Sequence, residues 1–437
     1  PGAANLLSGV AEAYFDSLPV IFLTGQLNTY EYTKIPGIRQ HGFQEMDVVS
    51  MAKPVTKYAV QITDEKEIVK ELNKAYHLAT TGRMGPVLLD LPMNIQRGQV
   101  NEPVYDMEFE ETEKDESREA AQAIQEALSR AKRPVILLGN GVREKDASLL
   151  LEKFAGPLEI PVVTSVLAKS ELAFDHPLNF GCIGSAYGHR YANMIVNAKS
   201  DLLLCFGISL CPRQTGVNAA GFAQNAKILR VDIDEVNLQR RIHEDASMEL
   251  AFAADAGKVI ALLAQESYPE KTFALWGKVC KEIKNTLQDV DNHMEELYPN
   301  RLLGEVSKAL GSAGVVSVDV GQHMIWSYQA FQNREGQKLL FSGGHGDGAF
   351  QMNIQELQWV KRENIPVRIL VLNNQALGLI RQQQKDYFDG VFAGASEEGG
   401  FTSCQFAEVA KGYGIAAAQV SYGEAAEKLP GLLEGKG

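Results

Sequence analysis

The chain has 437 residues, of which 45% are hydrophobic, and a formal net charge of −13. A chain of this length can bury two or three separate cores, so we expect more than one domain. The acidic balance, without a local basic patch, argues against binding to nucleic acids or membrane surfaces, because both are polyanionic. No apolar run approaches the roughly 20 residues of a spanning helix, and no leader peptide opens the sequence, so we expect a cytoplasmic protein.

The cysteines are scattered along the chain and form no CxxC pair. We therefore predict neither a disulfide framework nor a zinc site, and we expect free thiols that are mostly buried. The five positions are Cys182, Cys205, Cys211, Cys280 and Cys404.

Short apolar runs alternate with longer stretches of helical spacing, an alternation that builds parallel α/β sheets. The runs are apolar on both faces, as strands covered on both sides require. The predicted strands include residues 20–23, 87–89, 135–138, 202–204, 315–318 and 369–372.

Two charged stretches interrupt this alternation, an acidic one over residues 108–119 and a helical one over residues 265–300. Charged, weakly apolar segments are typical of connections between domains. We therefore predict three α/β domains, which span residues 1–108, 118–266 and 272–437.

Two short polar motifs, Gly346-Asp347-Gly348 and Asn373-Asn374, stand on either side of a predicted helix and strand. In open α/β sheets, ligands bind where loops and helix N-termini meet at the carboxyl ends of strands. Each motif alone is ordinary turn chemistry, because Gly, Asp and Asn dominate turns. Together, with one helix starting near residue 350 and one strand over 367–372 between them, they indicate a binding site.

The residue types at these motifs suit a diphosphate and Mg²⁺. The backbone amides of Gly348 and Ala349, at a helix start, favour anionic oxygens. Mg²⁺ prefers oxygen ligands and takes several of them from phosphate and water. A carboxylate from Asp347, the side-chain amide of Asn374 and the backbone carbonyl of Ala376 would complete such a metal site.

These motifs resemble the fingerprint of the thiamine-diphosphate-dependent enzymes, which is GDG, about two dozen residues, then NN. The resemblance covers nearly the whole chain, and the most similar branch is the large, catalytic subunit of acetolactate synthase. Two further elements of that branch are matched by Phe43-Gln44-Glu45 and Gly321-Gln322-His323.

The resemblance implies a pyrimidine-binding domain, a central Rossmann-like domain and a diphosphate-binding domain, in homodimers or homotetramers with shared active sites. It implies a carboligase that decarboxylates pyruvate and transfers the acetyl unit to a second carbonyl compound. Alternatives are a simple 2-oxoacid decarboxylase, a carboligase acting on a ketosugar and a non-catalytic cofactor-binding relative.

The resemblance also assigns roles to individual residues. Gln44 and Phe43 would reach the reacting end of the cofactor from a neighbouring subunit, while Asn5 would cap a helix or bind polar cofactor atoms. The residues expected to surround thiamine diphosphate are Gly321, Gln322, His323, Leu377, Gly378 and Leu379.

The central domain has a weaker signal for FAD. A glycine turn at residues 139–141 and the acids of residues 231–234 are of the type that dinucleotides use. By resemblance Arg213 would contact FAD, although a solvated surface arginine is the alternative. Ser209 and Cys211 depart from the family pattern.

Other departures concern completeness and substrate choice. We predict that one strand and one helix are missing between Gly344 and Gly346, and that the glutamate which contacts the cofactor's pyrimidine lies outside this sequence. Gln383, where the family usually has tryptophan, favours a different acceptor. His41 and Arg39 would then contact substrate or belong to a solvated loop.

Overall fold

The structure is a computed structural model. It describes residues 1–33, 35–40, 42–100, 115–142, 147–185, 187–268, 272–294, 298–311, 313–342 and 349–434. The chain divides into two units, one of Pro1–Lys114 with Ser342–His345 and one of Asp115–Phe341 with Gly346–Gly437.

The first unit contains a three-stranded parallel sheet in the order β1-β3-β2. The strands are β1 (Ile21–Gln26), β2 (Tyr58–Gln61) and β3 (Val87–Pro92), and the helices are α1 (Leu6–Phe15), α2 (Val48–Ala52), α3 (Ile68–Thr80) and α4 (Met93–Gln96). The central strand β3 is the most apolar and the most buried, as a strand with neighbours on both edges and helices on both faces requires.

The second unit contains a six-stranded parallel sheet in the order β6-β5-β4-β7-β8-β9. Its strands are β4 (Pro134–Leu138), β5 (Val162–Thr164), β6 (Asn179–Cys182), β7 (Leu202–Phe206), β8 (Lys227–Asp232) and β9 (Glu249–Ala253). Its helices are α5 (Ser117–Arg130), α6 (Ala147–Leu158), α7 (Arg190–Met194), α8 (Pro212–Thr215), α9 (Glu235–Leu238), α10 (Ala256–Gln265) and α11 (Ala274–Asn292). The strand order reverses between β4 and β7, which is the arrangement of a Rossmann fold.

The rest of the second unit contains a two-stranded parallel sheet of β10 (Val315–Val318) and β11 (Lys338–Phe341). The α-helices described in this part are α12 (Tyr298–Ala309), α13 (Gln322–Ala330), α14 (Leu357–Arg362), α15 (Gly378–Tyr387), α16 (Phe406–Gly412) and α17 (Ala425–Glu434). The described chain ends with α17. The α/β fold with parallel sheets is thus confirmed.

The predicted strand over residues 367–372 is wrong, because no strand is present there in the described chain. Val367, Ile369 and Leu370 are instead 43%, 46% and 39% exposed. A strand needs a hydrogen-bonding neighbour, and the β10–β11 sheet extends to no further strand among the described residues. The helix expected near residue 350 is a 3₁₀ run, Ala349–Glu356, with a non-helical break at Asn353 before α14.

The cysteines agree with the prediction from their spacing. All five are free, and Cys182, Cys205 and Cys280 are buried. Within the described part of the chain, no helix combines the length and the apolar character needed to cross a membrane.

One ion pair is buried in the six-stranded sheet. Arg230 in β8 and Glu249 in β9 are 3.1 Å apart, and both side chains are 1% exposed. Glu249 also accepts hydrogen bonds from the amides of Ile242 and His243, while Arg230 donates to the carbonyl of Asn237. The pair therefore ties the loop between the two strands to the sheet.

We predict that Glu249→Gln destabilises the protein by about 3–5 kcal/mol, because Arg230 would keep its charge in a buried site without a partner. The matched control is Glu408→Gln, which removes an exposed partner of Lys411 and costs below about 1 kcal/mol. Denaturant unfolding followed by circular dichroism measures both. Equal midpoints for the two variants would contradict the prediction.

Candidate cofactor and active site

The first unit has a hydrogen-bonded network around Asp90, which lies in β3 and is 1% exposed. Its Oδ1 accepts a hydrogen bond from Thr24 Oγ1 at 2.7 Å, and its Oδ2 accepts from Gln61 Nε2 at 2.8 Å and from Gln26 Nε2 at 3.4 Å. Gln61 also donates to the Tyr32 hydroxyl at 3.2 Å, and burial raises the pKa of that hydroxyl. All three strands therefore contribute to one polar cluster.

The same network reaches the segment that contains Gln44. Gln26 Nε2 donates to the carbonyl of Met46 at 2.9 Å, two residues after Gln44. Gln44 adopts a left-handed backbone with φ of 60°. It lines a cavity of about 380 Å³ together with Thr24 and Gln26. Gln26 thus links the buried carboxyl group of Asp90 to the loop that bears Gln44.

The other two predicted site residues of the first unit, Phe43 and Asn5, differ from Gln44 in their surroundings. Phe43 is 78% exposed and is not among the residues that line the cavity. Asn5 stands directly before α1 but makes no side-chain capping hydrogen bond, so the capping prediction is wrong. The physical reason is that a 3₁₀ turn, Gly2–Asn5, leads into the helix and holds Asn5 in a helical conformation, whereas a capping residue is extended.

In the second unit, Gln322, Asn374 and Gly378 converge. Gln322 begins α13 after β10, and Gly378 begins α15. Asn374 Nδ2 donates to Gln322 Oε1 at 3.4 Å. A Cβ atom on Gly378 would collide with Gln322 Oε1 and would lie 2.8 Å from Asn374 Nδ2. A side chain at position 378 would therefore displace the ends of Gln322 and Asn374 from where they meet at the start of α15.

Asn373 and Asn374 each close a small turn with the backbone that follows. Asn373 Oδ1 accepts from the amide of Gln375 at 3.0 Å and from Ser403 Oγ at 3.0 Å. Asn374 Oδ1 accepts from the amide of Ala376 at 3.2 Å. Gln375 has a left-handed φ of 57°, which brings both amides under the asparagine side chains. The local turns that were the alternative explanation for Asn373 and Asn374 are therefore present.

Turn formation leaves Asn374 able to bind a ligand. A side-chain amide oxygen has two lone pairs, and the turn uses one of them. Asn374 is exposed, so Oδ1 and the backbone carbonyl of Ala376 are of the type that Mg²⁺ takes from protein. The described residues contain no cluster of three or more His, Cys, Asp or Glu. This donor set fits an ion that draws most of its oxygens from a diphosphate and water.

Several predicted site residues lie around this point, and some cannot be placed. Gly321 is buried just before α13, and Leu377 donates its amide to the carbonyl of Ala395 at 2.9 Å. The carbonyl of His323 accepts from Ser327 Oγ at 2.7 Å, and both His323 and Leu379 are half-buried. Ala349 begins the 3₁₀ run. Outside the described residues lie His41, Gly346, Asp347 and Gly348.

In the central sheet, the glycines predicted for FAD pack against each other. Gly139 and Gly141, after β4, meet Gly207, after β7, and the amide of Gly141 donates to the carbonyl of Gly207 at 2.9 Å. A Cβ on Gly139 would collide with the Gly207 backbone, and Gly207 has a left-handed φ of 56°. Close approach of two loops at the strand-order reversal accounts for these glycines without a ligand.

The acids of the central domain are also engaged within the chain. Asp232 Oδ1 accepts from the amide of Asp234 at 2.9 Å, Asp234 caps α9, and Asp255 caps α10. Arg213 is exposed in α8. The described residues therefore do not show a donor set reserved for FAD.

Sequence reasoning missed Thr24, Gln61 and Asp90. The available signal was a carboxyl residue inside the apolar run of β3, because Asp is almost never buried without partners. Its partners are far apart along the chain, so only the sheet register could identify them.

Comparison with known proteins gives matches along the chain to three family models. The N-terminal thiamine pyrophosphate (TPP) binding domain matches residues 1–51. The central domain of thiamine pyrophosphate enzymes matches residues 121–263. The C-terminal TPP binding domain matches residues 345–437, which include both polar motifs.

Similar relatives are large subunits of acetolactate synthase. A probable acetolactate synthase large subunit of Methanocaldococcus jannaschii is 31% identical over 98% of this chain and 77% of the relative. An acetolactate synthase large subunit of Lactococcus lactis is 29% identical over 89% of this chain and 71% of the relative. The acetolactate synthase isozyme 2 large subunit of Escherichia coli is 29% identical over 89% of this chain and 72% of the relative.

The three family models match in the domain order that the resemblance implied, and the third match includes the asparagine turn. The chain therefore belongs to the thiamine-pyrophosphate-dependent enzymes and is an acetolactate-synthase-like member of that family.

Proposed function

We propose that this chain is a Mg²⁺-dependent carboligase that decarboxylates pyruvate and joins the acetyl unit to a second carbonyl compound. The observation that carries the proposal is the meeting of Gln322 and Asn374 over Gly378. Bound thiamine diphosphate supplies the carbon nucleophile for such chemistry, and the protein supplies orientation and electrostatics.

The residues of the asparagine turn would hold the cofactor's diphosphate end. Asn374 Oδ1, the carbonyl of Ala376 and the carboxylate of Asp347 are the proposed Mg²⁺ ligands. Gly321, Gln322 and His323 would face the diphosphate and substrate side, where the amide side chain of Gln322 can donate to a phosphate oxygen. Leu377 and Leu379 flank Gly378 and would shield the cofactor from water.

The residues of the first unit would act on the substrate in a neighbouring copy of the chain. Gln44 can donate to and accept from a carbonyl intermediate, and its loop is held by the Gln26–Met46 hydrogen bond. Phe43 is a large apolar side chain that is 78% exposed, so a role in excluding water at a subunit contact suits it. Asn5 would contribute a polar side chain, since it is not used as a cap.

The proposed domains remain residues 1–108, 118–266 and 272–437. The proposed gap near Gly344 is supported by the length of one match, which extends over 477 residues and so exceeds the 437 residues of this chain. That relative carries residues without a counterpart here. A missing strand at this point would also explain why residues 367–372 lack a pairing neighbour.

The test of the reaction is incubation of the full-length protein, with the predicted pyrimidine-contacting glutamate, with pyruvate, thiamine diphosphate and Mg²⁺, followed by assays for carbon dioxide, acetolactate and acetaldehyde. We expect carbon dioxide together with a ligated product. Acetaldehyde without ligation would favour the simple decarboxylase. If acetolactate forms only in traces, adding a ketosugar tests the sugar-directed alternative. Absence of carbon dioxide with every acceptor would contradict all three enzymatic alternatives and favour a non-catalytic relative.

The cofactor site is tested separately by Gly378→Ala. The new methyl group would push Gln322 away from Asn374, so we expect the affinity for thiamine diphosphate to fall at least about tenfold. Gly412→Ala is the matched control, because a Cβ there meets nothing within 4 Å. Calorimetric titration in the presence of Mg²⁺ measures both. Unchanged affinity in Gly378→Ala would place the cofactor elsewhere.

FAD stays a prediction from the sequence, because the glycines and acids predicted to bind it have packing and capping contacts of their own, whereas Arg213 is exposed. The visible absorption spectrum of the purified protein tests it. If the predicted FAD is bound, we expect the purified protein to show the visible absorption of a flavin, and a colourless protein would contradict the prediction. A yellow protein that loses its colour in Arg213→Ala would instead establish a flavin site.

A further inference from the structure

A small cavity lies at one edge of the six-stranded sheet, away from the asparagine turn. Its volume is about 10 Å³, which is room for roughly one water-sized particle. Two lysines and a histidine are among its lining residues, and none of the residues that line it is acidic. The proposed carboligase mechanism makes no use of this cavity.

Lys169 is the unusual member of the cavity wall. It is 5% exposed, which is rare for lysine unless the ammonium group is paired. Within the part of the chain that the structure describes, no carboxylate lies within ion-pair distance of its Nζ and no group accepts a hydrogen bond from it. Its Nζ lies 5.8 Å from the ring centroid of Phe174, and Cys182, whose thiol has a pKa raised by burial, lines the same cavity.

Lys284 brings a second ammonium group to the same cavity. Its Nζ donates to the carbonyl of Asn179 at 2.8 Å. It also lies 5.9 Å from the ring centroid of Phe174, 5.8 Å from that of Phe180 and 5.9 Å from that of Tyr191. Aromatic faces and a carbonyl stabilise this charge in part, but they do not neutralise it.

His189 cannot supply the missing negative charge or act as a further donor. Its Nδ1 accepts the amide hydrogen of Cys182 at 3.0 Å, and its Nε2 lies 2.8 Å from the carbonyl of Gln329. This pair of contacts requires the neutral tautomer with the proton on Nε2. Burial and then the charge of Lys169 lower the pKa of His189 to about 4.

The cavity is built tightly around a glycine. Gly181 has a left-handed φ of 77°, and a Cβ there would lie 2.8 Å from both His189 Nδ1 and Tyr191 Oη. Burial lowers the pKa of Lys169, and burial together with the charge of Lys169 lowers the pKa of Lys284. The two ammonium groups therefore destabilise each other in a small, mostly buried site.

We propose that this cavity binds one monovalent anion of single-atom size, chloride in solution, between Lys169 and Lys284. The volume excludes phosphate, sulfate and carboxylates. A water molecule could accept a hydrogen bond from Lys169 but would leave two like charges uncompensated. An anion supplies both the acceptor that Lys169 lacks and the charge that the cavity lacks, and it does so independently of the proposed reaction.

Bromide is the probe, because it replaces chloride and scatters X-rays anomalously. Crystals of the full chain grown in sodium bromide should show an anomalous peak beside Lys169 Nζ, and crystals of Lys169→Met should show none there. A wild-type map with an ordered water at that point and no anomalous peak would overturn the proposal. The anomalous map of the wild-type crystal tests the proposal without a variant, so the test remains valid even if Lys169→Met does not fold.

Thermal unfolding gives a second readout. At equal ionic strength, we expect the melting temperature in sodium chloride to exceed that in sodium gluconate by roughly 2–4 °C, because gluconate is too large for the cavity. The difference should vanish in Lys169→Met and persist in Lys153→Met, which removes an exposed lysine of α6. Identical melting temperatures in the two salts for the wild-type protein would contradict the proposal.

Discussion

Parallel strand pairing is the constraint that brings together the Asp90 cluster and positions Gln322. Strands that run the same way end at the same edge of the sheet, and the loops that follow them must meet there. Thr24 and Gln26 reach Asp90 because β1 and β3 pair in register, from Ile21 with Val87 onward. Gln322 likewise follows β10 directly.

The same constraint explains why residues 367–372 do not form the predicted strand. Residues 367–372 have the composition of a buried strand, yet a strand is stable only when its amides and carbonyls are paired. With β10 and β11 alone in their sheet, the segment finds no edge among the described residues. The asparagine turn that follows is nevertheless formed, because its hydrogen bonds are local and need no neighbouring strand.

Buried polar groups are stabilised in three different ways. Asp90 has neutral donors from all three strands of its sheet, and Arg230 has the carboxylate of Glu249. The protein itself supplies partners for both oxygens of Asp90 and for both terminal nitrogens of Arg230, as is usual for buried polar atoms, whereas Arg230 Nε has no partner among the described residues. Among the described residues, Lys169 has an aromatic face but no acceptor or carboxylate, which is why it points to a ligand whereas the other two indicate structure.

The sequence by itself determined the α/β class, the free cysteines and the family, since these depend on local periodicity and on motifs such as Asn373-Asn374 that can be read without coordinates. It also pointed to Gln44, Gln322, Asn374 and Gly378. Only the tertiary structure showed that Gly378 must lack a side chain so that Gln322 and Asn374 can meet, that Asn5 is not a cap, and that the central glycines pack on each other. The first and last of these facts arise from contacts between residues distant in sequence, which depend on strand register and loop approach. The conformation of Asn5 depends on the backbone of the 3₁₀ turn that precedes α1, which the sequence pattern did not predict.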